Sequence, residues 1–132
     1  MKFIGEQFKI LISSGAYWVS EFYKTQLSRH GYLVLVSTDP LSLPDAITAF
    51  HPQILLLSCD SHHERQIKLP FQNIRETHPR LPIILLFSSE DSIPLDVLSG
   101  VEACCHRSLG SVDALLEMIT EICFPDRMIG WG

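Results

Sequence analysis

The residues best equipped for chemistry fall in three short stretches. An unbroken apolar run, Ile54-Leu55-Leu56-Leu57, leads into Ser58, Cys59, Asp60, His62, His63 and Glu64. Cys104, Cys105 and His106 stand together later in the chain, and Ser13-Ser14-Gly15 follows the apolar run at residues 8–12. Thiols and imidazoles are good Zn²⁺ ligands. A turn of small residues ahead of a helix can seat a phosphate on the helix N-terminus. Each stretch also has a plainer role. Adjacent strand residues point to opposite faces, so Cys104 and Cys105 would not share a metal. The spacing of Cys59, Asp60, His62 and His63 matches no established zinc motif, and buried free thiols behave as small hydrophobes. Two alternatives stay open on these residues: a metal- or thiol-based sensor, and a flavin- or nucleotide-binding site at the serine turn. Tyr17 and Trp18, beside that turn, are expected to pack rather than to wall a cofactor.

These residues need elements to position them, and the chain supplies one domain's worth. Its 132 residues are 46% hydrophobic and 19% charged, which supports a packed core and excludes a disordered chain. Residues 1–7 read as a leader, 8–123 as the domain, and 124–132 as a tail or the start of a linker. No apolar run approaches the ~20 residues that span a bilayer, and the N-terminus lacks a signal-peptide pattern. A cytoplasmic setting without membrane contact is expected, with the four cysteines as thiols. Net charge is −5, and residues 81–132 carry only Arg107 and Arg127 against eight acidic groups. That half would repel a phosphate backbone, so direct nucleic-acid binding is not expected.

Five short aliphatic runs alternate with amphipathic segments. Strands are expected at residues 8–12, 32–36, 54–58, 83–87 and 103–106. Helices are expected at 17–29, 44–50, 94–99 and 112–123, and another opens at Pro70 with Phe71, Ile74 and Thr77 inward; a helix already running from His62 would be kinked at that proline. Val19, Phe22, Tyr23, Gln26 and Leu27 share a helical face, as do Val112, Leu115, Leu116, Ile119 and Ile122. Gly31 stands where a helix-ending glycine belongs. Uninterrupted aliphatic strands are covered on both faces, which implies a parallel sheet between two helical layers. The fold class is therefore α/β, a five-stranded parallel sheet of flavodoxin-like order 2-1-3-4-5 with helices on both faces.

The pieces FKILIS, HGYLVLVS, HPQILLLS, NIRETHPRLPIILLFSS and LSGVEACCHRS, in that order and spacing, resemble the receiver domain of bacterial response regulators over about residues 8–123. The resemblance implies an Asp at the end of the third strand that accepts a phosphoryl group; the matching residue is Ser58. It implies an acid pair after the first strand that holds Mg²⁺; the matching residues are Ser13 and Ser14, or Ser14 and Gly15. The Thr or Ser ending the fourth strand is matched by Phe87, with Ser88 one position on. The Lys-Pro after the fifth strand is matched by Arg107-Ser108, and the switch aromatic by Cys104.

The chain thus resembles a degenerate receiver, a pseudo-receiver, whose phospho-acceptor pocket is represented by Ser13, Ser14, Ser58, Phe87 and Arg107. Mg²⁺ takes a near-octahedral shell of hard oxygens, usually including carboxylates, and phosphoryl transfer depends on neutralising charge at the oxygens. A serine hydroxyl neither forms the acyl phosphate nor balances the metal. No catalytic residue, metal or cofactor is expected, and the chain is not expected to be an enzyme. Asp60, two positions beyond Ser58, is the alternative phospho-acceptor. The stretch between Phe87 and Gly100 is short for the family, so a stubby fourth helix is expected. Val97, Leu98, Glu117 and Glu121 form the candidate interaction face, for a homodimer or another partner. The resemblance further implies signal transduction or transcription regulation through protein contacts, with any output domain beyond Gly132.

Overall fold

A computed structural model describes residues 8–58, 64–88, 93, 95–107 and 112–124. Five strands, β1 (Lys9–Ser13), β2 (Leu33–Ser37), β3 (Ile54–Ser58), β4 (Ile83–Phe87) and β5 (Ala103–His106), form one parallel sheet in the order β2-β1-β3-β4-β5. The helices between and after them are α1 (Tyr17–Arg29), α2 (Leu43–Phe50), α3 (Glu64–Thr77), α4 (Leu95–Leu98) and α5 (Asp113–Cys123), with a 3₁₀ turn at Pro40–Ser42.

The aliphatic runs become strands because both of their faces are buried. Ile10, Ile12, Ile54, Leu56, Ile84 and Leu86 point into one layer with Val19, Tyr23 and Leu27 of α1 and Leu115 and Ile119 of α5. Leu11, Leu55, Leu57, Ile83 and Leu85 point into the other, with Leu43 and Ile47 of α2, Phe71 and Ile74 of α3 and Val97 of α4. Period-two alternation thus feeds two cores from the same three central strands.

Local chemistry ends the elements where the sequence indicates. Gly31 takes a positive φ of 92°, and Gly31 N–H and Tyr32 N–H donate to the Ser28 and Leu27 carbonyls at 3.0 and 3.3 Å. This is the Schellman arrangement, and it needs the left-handed residue at that point. Ser20, absent from the apolar face read from sequence, is buried in α1 because its hydroxyl donates to the Ala16 carbonyl at 3.1 Å.

Several expectations need correction. α3 starts at Glu64, not at Pro70. An interior proline removes one i→i−4 hydrogen bond, at about 3 kcal/mol; the burial of Phe71 and Ile74 on the next turns offsets it. Thr77 faces solvent rather than the core. Tyr17 and Trp18 do not pack: they are 77% and 54% exposed at the start of α1. Val97, assigned to an interaction face, is fully buried. The four-residue α4 has too few turns to offer Val97 and Leu98 on one outward face.

At the amino end of the sheet, one side chain ties three elements. Arg75 donates from Nε and Nη2 to the Gly100 carbonyl at 3.1 and 2.7 Å, and from Nη1 to the Leu81 carbonyl at 2.7 Å. Its Nη2 also pairs with Glu102 Oε1 at 3.0 Å, and that same oxygen accepts from Ile83 N–H at 2.7 Å. The end of α3, the entry to β4 and the entry to β5 are thereby fixed together. Gly100 is needed there for closeness: a Cβ would lie 2.5 Å from Phe71 Cζ. Charged hydrogen bonds contribute about 1.5–3 kcal/mol. Arg75→Ala is therefore expected to lower unfolding free energy by about 2–3 kcal/mol in urea titrations, whereas exposed Arg80→Ala is expected to change it by less than about 0.5 kcal/mol.

Candidate functional site

The carboxyl ends of β1, β3 and β5 meet at one edge of the sheet. β1 closes with Ser13, paired to Leu57 of β3, so Ser14 follows at the level of Ser58. All three serines are buried, at 6%, 3% and 9% exposure. Arg107 leaves the end of β5 and donates from Nη1 to Ser58 Oγ at 3.2 Å. Its backbone N–H donates to the Phe87 carbonyl at 2.7 Å, which fixes where the guanidinium starts.

Of the residues read from sequence as the degenerate pocket, Ser58 and Arg107 are in direct contact. Ser13 and Ser14 lie on the neighbouring strand end. Ser14 Oγ is turned to its own turn, accepting from Ala16 N–H at 3.1 Å and reaching the Ala16 carbonyl at 3.3 Å. This serine shapes the β1–α1 junction. Phe87 joins the pocket through its backbone alone. Its ring packs with the α2–α4 layer and stands edge-on to His106, centroids 5.4 Å apart. Ser58 pairs with Leu86, which faces the other layer, so alternation turns Phe87 away from it. Asp60 lies outside the described residues, as do Cys59, His62 and His63.

The donor set does not fit a divalent cation. Among the described residues, Ser13, Ser14 and Ser58 bring hydroxyls to these strand ends, and the Arg107 guanidinium approaches that of Ser58. Neutral oxygens beside a fixed positive charge disfavour Mg²⁺, which selects carboxylates and water. The second cysteine-rich stretch also separates. Cys105 is buried in the α1–α5 layer, while Cys104 packs with the opposite layer. Among the described residues, no three His, Cys, Asp or Glu side chains come together as metal ligands. Burial raises the pKa of Cys104, and of Cys105 with a smaller contribution from Cys104. Cys123, at the end of α5, is pushed up to about 11 by burial and then by the Glu102 carboxylate. Neutral thiols are weak nucleophiles and must lose a proton to ligate metal.

Away from this edge, an open groove of about 480 Å³ runs between the ends of α2 and α3, lined by residues that include Ile47, Thr48, His51, His78 and Leu81. Thr48 Oγ1 and His78 Nε2 lie 3.3 Å apart across it. Nothing in the linear order of Thr48 and His78 marks them as neighbours, because the α2–β3–α3 crossover brings them together.

The sheet order, the two helical layers and the strand-end pocket define the fold of a response-regulator receiver domain. Solved structures carry the same arrangement. The chain is 25% identical to the N-terminal domain of the nisin resistance regulator NsrR, with 86% of this chain and 97% of that one covered and a TM-score of 0.69. It is 16% identical to NtrX from Brucella abortus, over 94% of this chain and 28% of that one, with a TM-score of 0.73. It is 15% identical to the N-terminal domain of a response regulator/sensory box/GGDEF three-domain protein from Carboxydothermus hydrogenoformans, over 94% and 99%, with a TM-score of 0.69. No protein-family model and no curated protein matches the chain. No helix among the described residues is long and apolar enough to cross a membrane.

The Cys123 environment has a measurable consequence. Its folded-state pKa lies above the ordinary thiol value, so the folded chain holds a proton that the unfolded chain releases first. Stability is then unaffected below about pH 8.5 and falls as pH rises towards 11. Thermal melts from pH 8 to 11 are expected to show Tm falling less steeply in Cys123→Ala than in the parent chain; equal slopes would show that this thiol is not the source.

Proposed function

We propose that this chain is a pseudo-receiver, a signalling domain that acts through protein contacts without aspartyl phosphorylation. The observation that carries the reading is the Arg107–Ser58 hydrogen bond at the end of β3. The position that accepts the phosphoryl group in the receiver fold holds a hydroxyl, and the cation after β5 is engaged with it. Ser13 and Ser14 at the end of β1 provide no carboxylate for a metal. On this reading the chain is not an enzyme, needs no cofactor or bound Mg²⁺, and works inside a bacterial cytoplasm.

The partner is its own output domain or another signalling protein, in transcription regulation or a related two-component pathway. The NsrR and Carboxydothermus structures are N-terminal domains by description, and the NtrX chain is much longer than the segment matched. These neighbours support an output domain as the natural contact. Leu95 and Leu98 are 81% and 38% exposed on α4, and Glu117 and Glu121 are exposed one turn apart on α5. This apolar and acidic surface is the proposed contact for that partner, with Leu95 taking the place first assigned to Val97. The acidic half of the chain supports a protein rather than a nucleic acid as the partner.

Incubation with acetyl phosphate and Mg²⁺, followed by intact-protein mass spectrometry, tests this reading. No phosphoryl adduct is expected under conditions that label an intact receiver. An adduct lost in Asp60→Asn would establish Asp60 as acceptor and overturn the proposal.

A further inference from the structure

The sheet has an edge that is equipped for pairing. β2 is an outer strand, bonded on one side to β1. Leu33 N–H donates to the Phe8 carbonyl and the Ser37 carbonyl accepts from Ser14 N–H, so odd-numbered residues of β2 face β1. In a parallel pair the intervening residues turn both backbone groups the other way. Val34 and Val36 therefore present N–H and C=O to the open side.

Natural edge strands are commonly blunted with lysine, proline or a bulge. The strand LVLVS has none of these. Its alternate residues Leu33 and Leu35 are 41% and 42% exposed on the α2 side of the sheet. Lys9, the lysine paired with Leu33, does not guard them. Its ammonium donates to the Phe50 carbonyl at 3.1 Å and lies 5.5 Å from the Phe50 ring centre.

We propose that this edge pairs antiparallel with β2 of a second copy, about a two-fold axis at Val34. In that register Val34 meets Val34 in a hydrogen-bonded pair. Leu33 of each copy then meets Leu35 of the other in a non-hydrogen-bonded pair, where side chains approach most closely. Charge selects the same orientation. Exposed Arg29 and His30 precede the strand and exposed Asp39 follows it, so antiparallel pairing sets the basic end of each copy against the acidic end of the other. The Asp39 carboxylate is held in its turn, accepting from Leu41 N–H through Oδ1 at 3.0 Å. A parallel arrangement would set like charges together. The interface is isologous and closes as a dimer without leaving β2 open to a third copy. It lies on the opposite edge of the sheet from β5.

Sedimentation equilibrium of the full chain over about 1–500 µM reads the outcome. A monomer–dimer equilibrium is expected. Leu35→Lys is expected to weaken it by about tenfold or more, with an unchanged circular dichroism spectrum. Leu33→Thr keeps strand propensity and serves if Leu35→Lys does not fold. Asp39→Arg is expected to weaken the dimer, and adding Arg29→Asp to restore it. Leu98→Lys, on α4, is expected to leave it unchanged. A monomer at every concentration overturns the proposal, and so does a dimer that tolerates both strand variants or is lost in Leu98→Lys. Failure of the double charge reversal to restore association overturns the antiparallel orientation. None of these results bears on acetyl phosphate labelling, so the pairing and the phosphorylation-independent function can fail separately.

Discussion

The constraint on which this structure depends is the burial of three strands on both faces. Ile10, Leu11, Ile12, Ile54, Leu55, Leu56 and the run Ile83–Leu86 have no solvent exposure. A fully buried aliphatic side chain contributes about 1.5–3 kcal/mol relative to an exposed one, so these positions admit no polar chemistry. Polar function is confined to the strand ends and the sheet edges. The amino end uses that freedom for architecture, through Arg75 and Glu102. The carboxyl end holds the serines and Arg107, and among the described residues no strand pairs with the outer side of β2.

The carboxyl end combines the strand geometry of the receiver fold with a different set of side chains. The β1 and β3 ends still converge, and a cation still arrives from β5. Replacing acids by hydroxyls reverses the charge balance of these positions. A pocket that must gather a metal and a phosphoryl group needs negative charge to hold the metal before it can manage the incoming phosphate. Here the guanidinium donates to the Ser58 hydroxyl, which ties the end of β5 to the end of β3. The neutral thiols at Cys104, Cys105 and Cys123 fit the same picture of side chains retained for packing.

Much of this was legible in the sequence, and the exceptions have physical causes. Continuous runs such as ILLL and IILL encode two-faced burial directly, so strand positions and sheet order follow from them. The glycine after α1 and the apolar face of α5 are equally local signals. The resemblance puts Ser58 and Arg107 in one pocket, but their hydrogen bond is seen only in the folded chain. The N-terminal half of α3 escaped because a proline reads as a start, yet a helix can absorb the lost hydrogen bond when the next turns are buried. Val97 reads as a surface residue on a short helix, but α4 turns it into the α2–α4 core. Phe87 shares a strand end with the pocket while alternation sends its ring elsewhere. Arg75 gives no local signal at all, since its partners lie at residues 81, 100 and 102 and meet only in the folded chain. The exposed face of β2 was not read from LVLV, which carries the same aliphatic pattern as the buried strands, although the expected order 2-1-3-4-5 already sets β2 at the edge.

Amide chemical shifts of the folded chain, recorded with Mg²⁺ and beryllofluoride, test the central claim most directly. Beryllofluoride mimics a phosphoryl group on a carboxylate and needs the metal to bind. The amides of Ser13, Ser14, Ser58, Phe87 and Arg107 are expected to keep their positions under saturating addition. A saturable, Mg²⁺-dependent shift spreading from the end of β3 to Arg107 would contradict that claim, because a working acceptor pocket would then exist at this edge.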